Sequence, residues 1–240
     1  MSETPLAGGS TGPVWRRGDE VLRTAGPWTP AVHRLLAHCR AAGLTEVPEP
    51  RGVEGGREVL SYLPGEVPAY PLPAWVWRPE ALVSSVELLR RYHEAAATAD
   101  RSGPWRSPSQ EPVEVVCHND VAPYNIVYRD GRAVGLIDAD YASPGPRLWD
   151  LAYLAYRIVP LTWDRADGFS DAERRQRLRL LCQTYGASAR PEQLLPVVAE
   201  RLVELAAFSE RRAVELSRPE LAEHAVGYRR DVGYVISWGA

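Results

Sequence analysis

Apolar residues recur at helical spacing through most of the C-terminal two thirds of the chain and fall into short extended runs before it. Leu82, Val86, Leu89 and Ala96 lie close to one face of a helix, and Leu148, Leu151, Ala152, Ala155 and Ile158 repeat the pattern. So do Leu194, Val198, Leu202, Leu205 and Phe208, and then Leu221, Ala225, Tyr228, Val232 and Val235. Nearer the start, runs at 14–17 and 20–23 flank Gly18-Asp19, which predicts a β-hairpin. Thr29-Pro30 opens a helix with Thr29 as N-cap, Val32, Leu35, Leu36 and Cys39 on one face, and Gly43 as its stop. Residues 58–63 read as another strand. Three more extended runs, 113–117, 125–128 and 133–137, interrupt the helical region, the last two joined by the hairpin turn Arg129-Asp130-Gly131-Arg132.

Between the two regions, residues 64–79 carry five prolines, which resist both helix and central strand. The pattern predicts an α+β chain: a small β-rich lobe over 1–66, a proline-rich crossing over 67–79, and a larger, mainly helical lobe over 80–240. No internal repeat is visible.

Composition narrows the function classes. A chain of 240 residues with net charge -3 carries no global basic field, so neither nucleic acid nor a membrane surface is an expected partner. All 28 basic residues are Arg; the absence of Lys excludes Schiff-base chemistry and a P-loop lysine. Cys39, Cys117 and Cys182 are odd in number and far apart, which argues against a disulfide framework or a structural zinc site and for a reducing cytoplasm. Residues 1–13 have no basic n-region and no apolar core, and no run of about 18 apolar residues occurs, so neither secretion nor membrane spanning is expected. The eight Trp residues read as core and lobe-interface packing, and the basic run at 172–181 as a solvated helix face.

The candidate chemistry sits on the second hairpin. HNDVAPYN at 118–125 has the form H-x-D-x-x-x-x-N, and Ile137-Asp138 closes the following strand. With five His, eleven Asp and two Asn in the chain, such a match is expected about 0.002 times by chance. The spacing suits phosphoryl transfer, which needs a divalent metal to offset phosphate charge and a carboxylate to take the proton of the attacking hydroxyl. Asp120 can be that base. Asn125 and, across the hairpin, Asp138 can converge on Mg²⁺ as oxygen ligands.

These residues resemble the aminoglycoside phosphotransferase and choline-kinase-like family, whose H-G-D-x-x-x-x-N loop, I-D strand end and D-L-A helix start stand here as HNDVAPYN, LIDAD and WDLAY. The resemblance, strong over roughly 113–156, implies a two-lobed protein-kinase-like fold using ATP or GTP with Mg²⁺. It carries over Asp120 as catalytic base, Asn125 and Asp138 as metal ligands, His118 as a loop-ordering residue and Asp150 as the buried anchor of that loop. Ile137 would lie beneath the base, and Ser61, Tyr62 and Leu63 would be the hinge that holds it.

The chain departs from that family at the phosphate-binding Lys and its helical Glu partner. Arg23 is the substitute the sequence offers, the alternative being a salt-bridge arginine. Asn119 replaces the usual Gly and would tighten the loop. Residues 8–12, GSTG-like in composition, read as a phosphate-covering loop or a terminal tail, and His93 as a packing or capping residue. Asp140 would meet a second metal, a cationic acceptor or solvent. The expected acceptor is a small-molecule hydroxyl, an amino sugar first, with Asp140, Glu200, Glu204 and Glu210 available to line an acidic pocket. The alternatives are a Ser/Thr peptide kinase in a tailoring pathway and a catalytically degenerate nucleotide-binding module.

Overall fold

Gly18, at φ +63°, turns the chain between β2 (Val14–Arg17) and β3 (Glu20–Thr24), the hairpin the sequence predicts. A short strand without apolar alternation, β1 (Thr4–Leu6), adds to its outer edge, and β4 (Pro50–Glu54) and β5 (Arg57–Ser61) complete an antiparallel sheet of order β1-β2-β3-β5-β4. The computed structural model describes residues 2–6, 12–164 and 167–238, so the candidate phosphate loop at 8–12 lies outside the described residues except for Gly12. The chain divides into two compact units, Met1–Asp150 and Leu151–Ala240.

In the first unit Leu22, Val59 and Leu60 of the sheet are buried, as are Val32, Leu35, Leu36 and Cys39 of α1 (Thr29–Ala41). The helix starts one residue earlier than its sequence signal: Trp28, already helical at φ -76° and ψ -20°, is the N-cap, and Thr29 Oγ1 instead accepts from Gly26 N at 2.9 Å. After the sheet the proline-rich segment contains one 3-10 turn, Ala74–Trp77, and leads into α2 (Pro79–Ala96).

That segment is tied to the second hairpin, β7 (Ile126–Arg129) and β8 (Arg132–Leu136). Glu66 and Tyr128 exchange main-chain hydrogen bonds of 2.8 Å. Gly65 comes so near that an added Cβ would lie 2.6 Å from the Tyr128 carbonyl oxygen. From α2, Ser84 Oγ accepts from Ala133 N at 2.9 Å, and Ser85 Oγ hydrogen-bonds the buried Tyr128 hydroxyl at 2.9 Å. Each such bond contributes about 1 kcal/mol, and together they fix the helix against both strands of the hairpin. β6 (Val115–Cys117), shorter than its apolar run, pairs with β9 (Ser143–Gly145), whose sequence Ser-Pro-Gly carries no strand signal.

In the second unit, reached through α3 (Arg147–Ile158), lie α4 (Asp171–Tyr185), α5 (Pro191–Glu215) and α6 (Glu220–Ile236), with α5 and α6 packed along each other. A capping box of Ser170 and Glu173 opens α4. The expectation of a solvated basic face on α4 holds for Arg175 and Arg179, which are exposed, and is corrected for two others: Arg174 is fully buried, paired with Asp167 and Tyr234, and the buried Arg177 donates to Ile158 O. Among the described residues no helix is long and apolar enough to cross a membrane.

Candidate active site

Asp130 and Gly131, at φ +51° and +73°, make a two-residue turn with both central residues left-handed, the type that matches the twist of a hairpin. The hairpin's open end is therefore fixed. Ile137 N donates to Asn125 O at 2.9 Å, which sets the start of one strand beside the end of the other and brings Asn125 next to Asp138.

The loop before Asn125 is built around Asp150. This carboxylate is fully buried and accepts from His118 N at 2.7 Å and Asn119 N at 2.6 Å, with His93 Nε2 at 3.1 Å. Burial alone would raise its pKa, but the His93 hydrogen bond and charge, with His118, outweigh burial and hold it below the usual carboxylate range. His93 thus supports the loop anchor, a role its helical context does not reveal. Burial lowers the pKa of His118, whose neutral ring fits its partners: Nε2 donates to Ile137 O at 2.9 Å and Nδ1 accepts from Asp120 N at 3.3 Å. Asn119 stands at φ +65°, where the family has Gly; Asn is among the side chains that tolerate this region best. Its Nδ2 donates to Tyr141 O at 2.9 Å and Ser143 Oγ at 2.7 Å, which is how it tightens the loop.

Asp120 is held on both oxygens. Tyr124 donates its hydroxyl to Oδ1 at 2.9 Å and Asn125 Nδ2 donates to Oδ2 at 2.8 Å. The second Asn125 amide hydrogen goes to Asp120 O at 2.9 Å. With both hydrogens spent, Asn125 keeps its carbonyl Oδ1 to offer, an oxygen ligand for a hard cation. Asp138 adds a carboxylate. Two protein oxygens suit Mg²⁺, which commonly takes one or two such ligands and fills its octahedron with phosphate and water. Among the described residues no cluster of three or more His, Cys, Asp or Glu could hold a metal by itself.

Arg23 reaches the hairpin from the sheet. Its Nε donates to Glu58 at 2.5 Å, Nη1 to Asp138 and Nη2 to Asp140 at 2.5 Å. Three carboxylates outweigh burial and keep it charged. Glu58, directly opposite Arg23 in the β3–β5 register, also meets His33 Nε2 of α1 at 2.9 Å. The cation's glutamate therefore comes from the neighbouring strand, where the sequence reading looked for one on the helix. Strand register was the signal that could have found it. Asp140, expected to face a ligand or solvent, is buried against Arg23, and burial pushes its pKa up to about 6 although Arg23 opposes the shift. Asp138 itself sits in the left-handed region at φ +64° and ψ +56°, a conformation costing about 1 kcal/mol that its arginine contact helps to hold.

Of the expected hinge, Ser61 N donates to Glu49 O at 2.9 Å and Tyr62 N to Asp19 O at 2.7 Å. Both are committed to the sheet. Leu63 instead lies against Gly135, where a Cβ would meet its Cδ1 at 2.8 Å, and Ile137 is half-buried at the end of β8. A cavity of about 100 Å³ is lined by Gly12, Val14, Arg23, Trp28, Arg106 and Asp138, and also by Asp140, which therefore meets this cavity as well as Arg23. A larger hollow of about 400 Å³ in the second unit, around Cys182 and Arg190, is lined by Gln183 and Glu192 and contains no residue of the loop or the hairpin. On α5, Glu204 pairs with Arg201 and Glu210 with Arg229, so neither offers the unpaired carboxylate expected of an acidic acceptor pocket.

A family model described as "Phosphotransferase enzyme family" matches residues 104–191, a span that contains the loop, the hairpin and Asp150. A trifolitoxin immunity protein from Rhizobium leguminosarum bv. trifolii is 37% identical over 199 residues, covering 78% of this chain and 75% of that protein. Among solved structures, a choline/ethanolamine kinase family protein from Mesorhizobium loti aligns with a TM-score of 0.66 at 18% identity, over 98% of this chain and 92% of that one. An amicoumacin kinase in complex with AMP-PNP, Ca²⁺ and its ligand aligns at 0.70 and 12% identity, over 96% and 87%. The fold is that of the protein-kinase-like phosphotransferases.

Proposed function

The chain belongs to the phosphotransferase enzyme family, and from that premise we propose that it transfers the γ-phosphoryl group of ATP or GTP to a hydroxyl of a small molecule. The observation that carries this reading is the Asp120 carboxylate, oriented on both oxygens by Tyr124 and Asn125 at the end of the hairpin that brings Asn125 beside Asp138.

An ionised carboxylate accepts hydrogen bonds only, so Asp120 receives the acceptor's hydroxyl. As the new O–P bond forms, the proton passes to Asp120 while the bond from phosphorus to the bridging oxygen breaks and the nucleoside diphosphate leaves. Asn125 and Asp138 would hold Mg²⁺, whose charge would offset that of the phosphates. Asp150, His118 and Asn119 keep the loop in place during this exchange. Leu63 and Ile137 flank the base, with Ser61 and Tyr62 securing that segment to the sheet. Cys39, Cys117 and Cys182 are buried and form no disulfide, which fits a reducing cytoplasm.

An amino sugar heads the acceptor panel because aminoglycoside phosphotransferases share the fold; one relative is named for immunity to a toxin, and phosphorylating a toxin hydroxyl would serve protection. The test is ADP or GDP release over amino sugars, amino alcohols and Ser/Thr peptides. We expect Mg²⁺-dependent release with a small-molecule hydroxyl and a loss of at least about 100-fold in Asp120→Asn. Wild-type rates in that variant would remove Asp120 as the base. If neither nucleotide raises the melting temperature, the phosphotransferase reading fails.

A second reading, a binding module without transfer, is favoured by the Arg23 contact on Asp138. Acceptor-dependent ADP or GDP release by the wild type would exclude it.

A further inference from the structure

Arg23 and Arg106 are the two cations lining the cavity beside Asp138. Their surroundings differ. Each of the three Arg23 guanidinium nitrogens faces a carboxylate, so its single charge is exceeded by those of Glu58, Asp138 and Asp140, and a phosphate placed against it meets net negative charge. Arg106 has one long contact, Nη1 to Asp140 at 3.4 Å, and its side chain is only 17% exposed. Its guanidinium carbon lies 4.3 Å from the Trp28 ring centroid and 4.4 Å from that of Tyr141. Two aromatic rings fix the plane of the fork and leave its N–H edge for hydrogen bonding.

The loop that delivers Arg106 is anchored. Ser143 Oγ donates to Pro108 O at 3.0 Å and Gln110 N to Pro144 O at 2.9 Å, both on β9, the strand that follows Tyr141. The cavity's other wall includes Gly12 and Val14, where β2 begins after the glycine-rich segment. A desolvated, planar, weakly paired cation at this wall is built for an anion with several oxygens.

We infer that Arg106 is the cation that binds the nucleotide's phosphates in this lysine-free chain, and that Arg23 is a positioning residue which holds Asp138 and Asp140. The inference rests on the phosphotransferase reading for the identity of the ligand. It assigns a phosphate contact to a loop outside the small sheet, so the missing lysine needs no replacement on β3.

The test is calorimetric titration of the full chain with Mg·AMP-PNP, adenosine and Mg·pyrophosphate. Arg106→Ala is expected to weaken Mg·AMP-PNP and Mg·pyrophosphate by about 10- to 100-fold, to leave adenosine binding unchanged and to melt with the wild type. Should that variant melt early, Arg106→Gln, which keeps a planar end between the rings and loses the charge, carries the same comparison. Wild-type affinity for Mg·AMP-PNP in either folded variant overturns the inference. So does an equal loss for adenosine, since the effect would then be structural. Arg106-dependent pyrophosphate binding by a protein that takes neither ATP nor GTP would sink the nucleotide reading and leave Arg106 as an anion site. A wild type that binds none of the three probes and does not bind Mg·GMP-PNP either sinks both.

Discussion

Replacing Asp150 tests the anchor of the catalytic loop. In Asp150→Ala the main-chain N–H groups of His118 and Asn119, both buried, lose this acceptor, and buried His93 loses its hydrogen bond to the carboxylate. Three unsatisfied buried donors at about 1–3 kcal/mol each add to about 3–9 kcal/mol before the loop relaxes, and removing one partner of a buried charge pair costs about 3–5 kcal/mol. For a chain of this size that corresponds to a melting temperature lower by roughly 10 °C. Asp150→Asn keeps one acceptor oxygen and turns an amide against the second N–H, so it should lose about half as much.

The pH dependence follows from the direction of the Asp150 shift. Its folded pKa lies below the usual value, because the His93 and His118 interactions outweigh burial. The stabilisation is therefore complete above the unfolded carboxylate value, near 4, and is lost as pH falls through the folded value. Thermal unfolding followed by tryptophan fluorescence should show a wild type to Asp150→Asn gap that is flat above the unfolded carboxylate value and narrows progressively as pH falls below it. A drop of under about 2 °C in Asp150→Ala, or a gap that widens on acidification, would refute the argument.

Gly65→Ala places a methyl 2.5 Å from Val127 Cγ1 and 2.6 Å from the Tyr128 carbonyl oxygen, and should destabilise by about 1–3 kcal/mol in a urea titration; an unchanged midpoint would show that the crossing segment gives way. Burial pushes the Cys39 thiol up to about 12 and the Cys182 thiol up to about 11, so neither should react with iodoacetamide at neutral pH in the native chain, and both should in urea. Rapid native alkylation, located by mass spectrometry, would contradict their packing.

Much of the site was legible because its signals are local. Asp130-Gly131 demands a tight hairpin, and the hairpin alone brings Asn125 and Asp138 together. His118, Asp120 and Asn125 fall within eight residues, and a capping or helical face could be read wherever polar and apolar residues alternate at one spacing. What escaped depends on contacts distant in sequence. Glu58 pairs with Arg23 only through the register of β3 on β5, and Arg106 comes from a Pro- and Ser-rich loop without periodicity. β1, β4 and β9 are short and mostly exposed or proline-bearing, so no alternation marks them. Arg174 looked solvated because its helix is rich in arginine; only the fold reveals that Asp167 and Tyr234 enclose it.

The cross-strand origin of Glu58 bears on control. In kinases whose glutamate sits on a mobile helix, withdrawing that helix breaks the ion pair and silences the enzyme. Here the pair is stitched into two hydrogen-bonded strands, and parting Arg23 from Glu58 would mean unzipping the sheet. Movement of α1 would tug on His33 and leave the arginine where it is. The placement of Asp138 and Asp140, which Arg23 holds, is therefore built into the sheet as the chain folds and does not depend on where α1 lies.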